Sequence, residues 1–175
     1  VKFLIVMREN YNRTYDGFTM NGYSAEEMLL VVTRFLLGWV FTYAGVSKIM
    51  EGGWTAEGYL THAIAESNPL YGYWDIFAHP LIDWMVMLGL TLAGLALITG
   101  TLIRFTGFMG AIMMGFFYLS HLPLENGFLV SEHIIYIMIL ALLGVYGAGR
   151  ILGLDSVIEN TEFVKNNPKL KYLLG

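Results

Sequence analysis

An all-α membrane protein, a polytopic bundle of four spanning helices, is what this sequence predicts, and three observations carry the expectation. The 175 residues are 56% hydrophobic and only 14% charged, with mean hydropathy +0.58, which is too apolar for an ordinary soluble domain. Four apolar runs, at about 28–50, 81–103, 105–121 and 131–148, approach or exceed the roughly 20 residues that a bilayer crossing needs. Lys2, Arg8, Arg13, Arg104, Arg150, Lys165, Lys169 and Lys171 all fall on one side of that topology, and the loops of the other side carry no Lys or Arg. Positive charge stays on the cytoplasmic side, so both termini are expected there, in the cytoplasmic membrane.

Taken in order, residues 1–7 are apolar but too short for a signal h-region and run at once into polar sequence, so the start reads as an N-terminal arm and not as a leader. Ser24 with Glu27 three residues on is a capping-box pattern that starts the first span near Ala25. In that span Arg34, Gly38, Phe41, Gly45 and Lys48 form one slowly drifting stripe at 100° per residue. A cation facing lipid costs about 2.5–3.5 kcal/mol on the lenient insertion scale, so the stripe should face protein, water or a bound anion. Its glycines let another backbone come close.

The connection over 51–80 holds four acids and no Lys or Arg. Ala56, Tyr59, Leu60, Ala63 and Ile64 recur at helical spacing opposite Glu57, Thr61, His62 and Glu66, which predicts a short amphipathic helix lying in the first extracytoplasmic loop at the membrane surface. Trp54, Tyr59, Tyr71, Tyr73 and Trp74 are expected at headgroup level. Arg104 marks the turn between spans two and three; Pro123, Glu125, Asn126 and Gly127 mark the next. Short connections make neighbouring spans antiparallel, giving an up-down-up-down bundle. The tail from Asp155 reads as a short helix or a disordered end. Residues 1–175 thus form a single membrane domain with no soluble module and no clear repeat.

The pattern Arg34-x3-Gly38-x6-Gly45-x2-Lys48 resembles the first span of the DoxX/DoxD family of small four-helix membrane proteins, which includes the membrane subunit of thiosulfate:quinone oxidoreductase. The resemblance recurs in residues 89–100 (GLTLAGLALITG), in Gly147-Ala148-Gly149-Arg150 and in Leu154-Asp155, and so covers about 27–155. It implies a quinone-linked sulfur oxidoreductase that oxidises thiosulfate to tetrathionate and passes the electrons to quinone.

Chemistry-bearing residues gather at the outer face of this topology: Lys48, His62, His79, Asp83, His121, Glu125, Glu132 and His133. A cation among titratable histidines suits two tasks, holding a small anion and moving protons to a reduced quinone. On that reading Lys48 holds the anion, and His121 or His133 relays protons. Glu132 joins Arg34 as a candidate cofactor-binding residue. Each histidine alone reads more simply as an interfacial polar group that finds water, and Lys48 as a side chain that snorkels or pairs with Asp83 or Glu132. Arg34 reads either as a clamp on a quinone carbonyl or lipid head, or as a structural partner for a carbonyl or for Asp155. A buried charge that already has a partner needs no ligand, which favours the second.

His121 and His133 are also the one pair that a bis-histidine haem b could use, at a loose spacing. A metal held by both Glu132 and His133 is disfavoured, since adjacent helical residues point about 100° apart. With no cysteine in the chain, disulfides, Cys-ligated zinc, iron–sulfur clusters and covalent c-type haem are excluded from it. The net charge of −4 gives no basic stripe for nucleic acid. Methionines and the row Gly110, Met113, Met114, Phe117 read as bundle packing. The partners implied are membrane lipid and either other membrane subunits or a second copy. An alternative of another class stands beside the enzyme: a non-catalytic accessory subunit of a larger respiratory or monooxygenase complex.

Overall fold

The computed structural model describes residues 19–20, 22–124 and 130–175; the N-terminal arm with Lys2, Arg8 and Arg13, and the turn residues Glu125, Asn126 and Gly127, lie outside the described residues. Four antiparallel helices form the bundle: α1 (Ala25–Met50), α2 (Pro80–Thr99), α3 (Ile103–Ser120) and α4 (Glu132–Tyr146). A two-residue ladder precedes α1, pairing β1 (Thr19–Met20) with β2 (Tyr23–Ser24). Three of the helices are long and apolar enough to cross a membrane, and α4 is a shorter apolar one. This is an integral membrane protein.

The capping box forms at the start of α1: the Ser24 hydroxyl accepts from the Glu27 N–H at 3.2 Å, and the Glu27 carboxylate accepts from the Ser24 N–H at 2.8 Å. With 26 residues, α1 is about 39 Å long and overreaches a hydrocarbon layer of roughly 30 Å. Its buried face is Arg34, Leu37, Gly38, Phe41 and Gly45, so most of the charged and glycine stripe turns inward. Leu29, Leu36, Trp39 and Tyr43 are exposed, as a lipid-facing side would be.

The stripe is buried against α2 because glycines remove the side chains between the two backbones. A Cβ on Gly38 would lie 2.8 Å from the Gly94 carbonyl oxygen, and one on Gly45 would lie 2.6 Å from the Thr91 nitrogen. Helix pairs in lipid associate through such close packing, since lipid tails provide no hydrophobic drive between helices. In the second hairpin, α3 meets α4 where Gly107 and Gly110 face Leu140. The core common to both hairpins is Leu37, Phe41, Leu90, Leu97, Ile103, Met114, Leu140, Leu143 and Ala148. Gly110 and Met114 are buried, and Met113 and Phe117 pack against that core.

Helix ends differ from the sequence expectation where backbone geometry intervenes. α2 stops at Thr99 because Gly100 takes a left-handed conformation (φ 70°), and α4 stops at Tyr146 because Gly147 does the same (φ 64°). In the 51–80 connection the expected amphipathic helix is reduced to one wide turn, Tyr59–Ala63, followed by a 3₁₀ turn at Trp74–Phe77. The tail is folded: α5 (Asp155–Ile158), α6 (Glu162–Asn166) and a 3₁₀ turn (Pro168–Tyr172) lie across the end of the bundle that holds Arg34.

Candidate functional site at the histidine end

Two polar assemblies stand at opposite ends of the bundle. The first is built on the last turn of α3 and the first turn of α4. His121 and His133 face each other there with ring centroids 4.9 Å apart and planes at 41°. His121 Nδ1 lies 2.8 Å from the Phe117 carbonyl oxygen. A carbonyl only accepts, so the neutral ring carries its proton on Nδ1 and leaves Nε2 as the acceptor. His133 is buried, with Phe117 at its edge and Ser131 Oγ 3.5 Å from its Nδ1.

Tyr59, from the wide turn of the loop, closes the group. Its hydroxyl donates to the Ser120 carbonyl at 3.2 Å and lies 3.2 Å from His121 Nδ1, with the two rings 5.4 Å apart. Tyr59, Ser120, His121, Ser131 and Glu132 are the polar lining of an open cleft of about 520 Å³, and Ile64, Leu122, Leu124, Val130 and Ile135 supply an apolar lining.

Asn68 holds the loop in place, and sequence reasoning passed over it. It is buried; its amide donates to the carbonyls of Leu119 (2.9 Å) and Leu122 (2.7 Å), and its carbonyl accepts from the Leu70 N–H and from Trp74 Nε1. The Asn68-Pro69 pair is a turn signal, and an Asx-type bond two residues on is how asparagine fixes a turn. Nothing local shows that the same side chain reaches the end of α3. Trp74 consequently turns inward, whereas Tyr71 and Tyr73 stay exposed.

The other residues of the expected outer group are at this end but not in the cleft lining. Lys48 lies across Trp54, its Nζ 5.2 Å from the ring centroid, a cation–π contact and not an ion pair with Asp83 or Glu132. Asp83 accepts the Ala56 N–H at 2.8 Å and so anchors the loop. His79 caps α2 by accepting the Leu81 N–H. His62 stays exposed beside Thr61. Glu125 lies outside the described residues.

At the opposite end Arg34 is buried. Its Nη1 donates to the carbonyls of Ala148 and Ile151 and its Nη2 to that of Leu152 at 3.1 Å. These are carbonyls of the stretch just past α4, so the guanidinium is directed into the protein, at a place a structural partner would take. Glycines make the room: a Cβ on Gly100 would stand 2.7 Å from Nη1, and one on Gly153 would stand 2.8 Å from it. Asp155 is fully buried beside it and accepts the N–H groups of Leu102 (2.7 Å), Ile103 (3.1 Å) and Gly175 (2.9 Å). A carboxylate at the start of α3 satisfies orphan N–H groups and meets the positive end of the helix dipole. Arg34, Gly100, the Gly147–Arg150 turn and Asp155 are far apart in sequence and form one knot in space.

A family model described as DoxX matches residues 29–122. The chain belongs to the DoxX family. No curated protein and no solved structure matches it. The match takes in Arg34, Lys48, Tyr59, Asn68 and His121; Glu132, His133 and the Asp155 knot follow it in the chain.

Proposed function

We propose that this DoxX protein is the membrane subunit of a quinone-linked oxidoreductase, and that the cleft beside His121 and His133 receives the quinone head. The single observation that supports this reading is the close histidine pair, contacted by Tyr59, of which His121 lines a cleft with an apolar lining. A cleft of some hundreds of cubic ångströms with a few convergent polar groups suits an organic ligand of that kind. When bound, a quinone takes up two electrons and two protons while two thiosulfate ions lose one electron each and join through an S–S bond as tetrathionate, the reaction that the family resemblance implies.

The chain's own residues would hold and move protons. Nε2 of His121 accepts one, because Nδ1 is committed to Phe117. The His133 ring, in contact with it, passes that proton on. Tyr59 orients His121 from the loop side. Glu132, at the cleft lining, is the carboxylate that would take or supply protons from water. Lys48 is the cation that meets a sulfur anion, from its place over Trp54. Arg34 steadies the opposite end. The lysines and arginines clustered around that end orient it, and both termini, toward the cytoplasm.

The test is purification in mild detergent, with extraction of bound quinone and an assay of thiosulfate-dependent reduction of a short-chain quinone analogue. Bound quinone in a small particle is expected. His133→Gln should lower turnover about 10²-fold or more, as loss of a proton-transfer group does, with an unchanged melting temperature. Lys48→Ala should raise KM for thiosulfate. A quinone-free chain recovered only within a large assembly would overturn the reading in favour of an accessory subunit.

A further inference from the structure

We propose that residues 154–172, folded across the Arg34 end, form a collar that binds anionic phospholipid headgroups. Three observations combine.

The first is depth. Leu154 donates to the Thr99 carbonyl at 3.1 Å, Asp155 to that of Gly100 at 2.9 Å, and Phe105 to that of Leu173 at 3.2 Å, while Val164 and Leu174 are buried. These bonds fasten the segment to the ends of α2 and α3, the level at which a membrane helix meets the headgroups.

The second is exposed apolar surface on a segment otherwise anchored: Val157 is 64% exposed, Phe163 70% and Tyr172 78%. A cap facing water has no reason to present these side chains, whereas an interfacial segment sinks them among acyl chains. The third is charge. Lys165 and Lys169 are exposed and make no ion pair among the described residues; Lys171 lies 3.7 Å from Glu159, which also takes Arg150 at 2.8 Å. Glu162 is the one exposed acid of the segment. Exposed lysines flanking apolar side chains are the chemistry of anionic-lipid recognition. The opposite loop, with four acids and no Lys or Arg over 51–80, would repel such lipids, so the attraction is one-sided.

The experiment uses the full chain in micelles with equal phosphatidylglycerol and phosphatidylcholine, counting retained lipid by native mass spectrometry. Phosphatidylglycerol should be retained preferentially, and the preference should fall roughly fivefold for each lysine removed in Lys165→Gln and Lys169→Gln. Melting in phosphatidylcholine should not change, and inorganic phosphate at the same concentration should not displace the lipid. Because the chain has no cysteine, a nitroxide on Phe163→Cys reports depth cleanly, and in phosphatidylglycerol nanodiscs it should be reached by oxygen and shielded from an aqueous nickel complex. An unaltered lipid ratio in the double variant overturns the proposal. So does a label open to water, which would make the collar a surface for a soluble partner.

Discussion

Arg34 and His121 sit at opposite ends of the same bundle and use their hydrogen-bonding groups in opposite ways. At the Arg34 end the side chains are turned onto backbone: three carbonyls take the guanidinium, three N–H groups take the Asp155 carboxylate, and Arg34 Nε is left as the one buried side-chain nitrogen or oxygen without a partner among the described residues. At the histidine end Asn68 and Asp83 make the ties that hold the loop, and His121, Tyr59 and Glu132 line a cleft with His133 packed behind His121. Where a polar group answers a helix end, removing it unravels the fold; where it faces open space, removing it alters chemistry.

The largest effect that this contrast predicts is at Asp155. Asp155→Ala leaves three N–H groups and a buried guanidinium without their anion, and should cost about 3–5 kcal/mol, as breaking a buried charged network does. Thermal melting in detergent measures it. A loss under about 1 kcal/mol would mean that the knot is not what holds this end. Asn68→Ala is the matched test at the other end. It should cost about 1–3 kcal/mol for the unpaired carbonyls and indole N–H, and hydrogen exchange should quicken around Tyr59 and Trp74 but not around Gly100. Equal acceleration at both ends would erase the distinction.

The smallest effect is pH-dependent. The hydrogen bond from Arg150, with Arg150 and Lys171 adding charge, holds the Glu159 carboxyl below its ordinary value. A carboxylate lowered in the folded state stabilises it above the ordinary carboxylate range, and that contribution disappears as pH falls through the lowered value. Loosening of the collar on acidification, absent in Glu159→Gln, is therefore expected by hydrogen exchange at α5 and α6. Solvent exposure keeps it under about 1 kcal/mol.

Much of this was legible in the chain. Hydropathy set the spans, the Ser24/Glu27 spacing set the start of α1, and the helical period placed Arg34, Gly38 and Gly45 on one buried face, because each depends on residues within a few positions of one another. The grouping of His121 with His133 followed from antiparallel neighbours of similar depth. The loop helix is present but shorter than its period suggests: Asp83 and Asn68 draw the backbone on either side of it to distant helix ends, and the turn Tyr59–Ala63 remains. Tyr59 and Trp74 look like interfacial aromatics from their composition alone, and only their hydrogen bonds to Ser120 and to Asn68 turn them toward the protein.

Sequence alone determined that this chain crosses the membrane, which residues its first helix hides, and which end carries the basic side chains, since lipid excludes charge residue by residue whatever the partner. Only the tertiary structure decided that Asp155 caps α3 from more than fifty residues away, that Asn68 ties the loop to the end of α3, and that the tail folds across the Arg34 end. Each of these rests on an orphan backbone group at a helix end, and which side chain answers such a group is settled by where the chain returns in space.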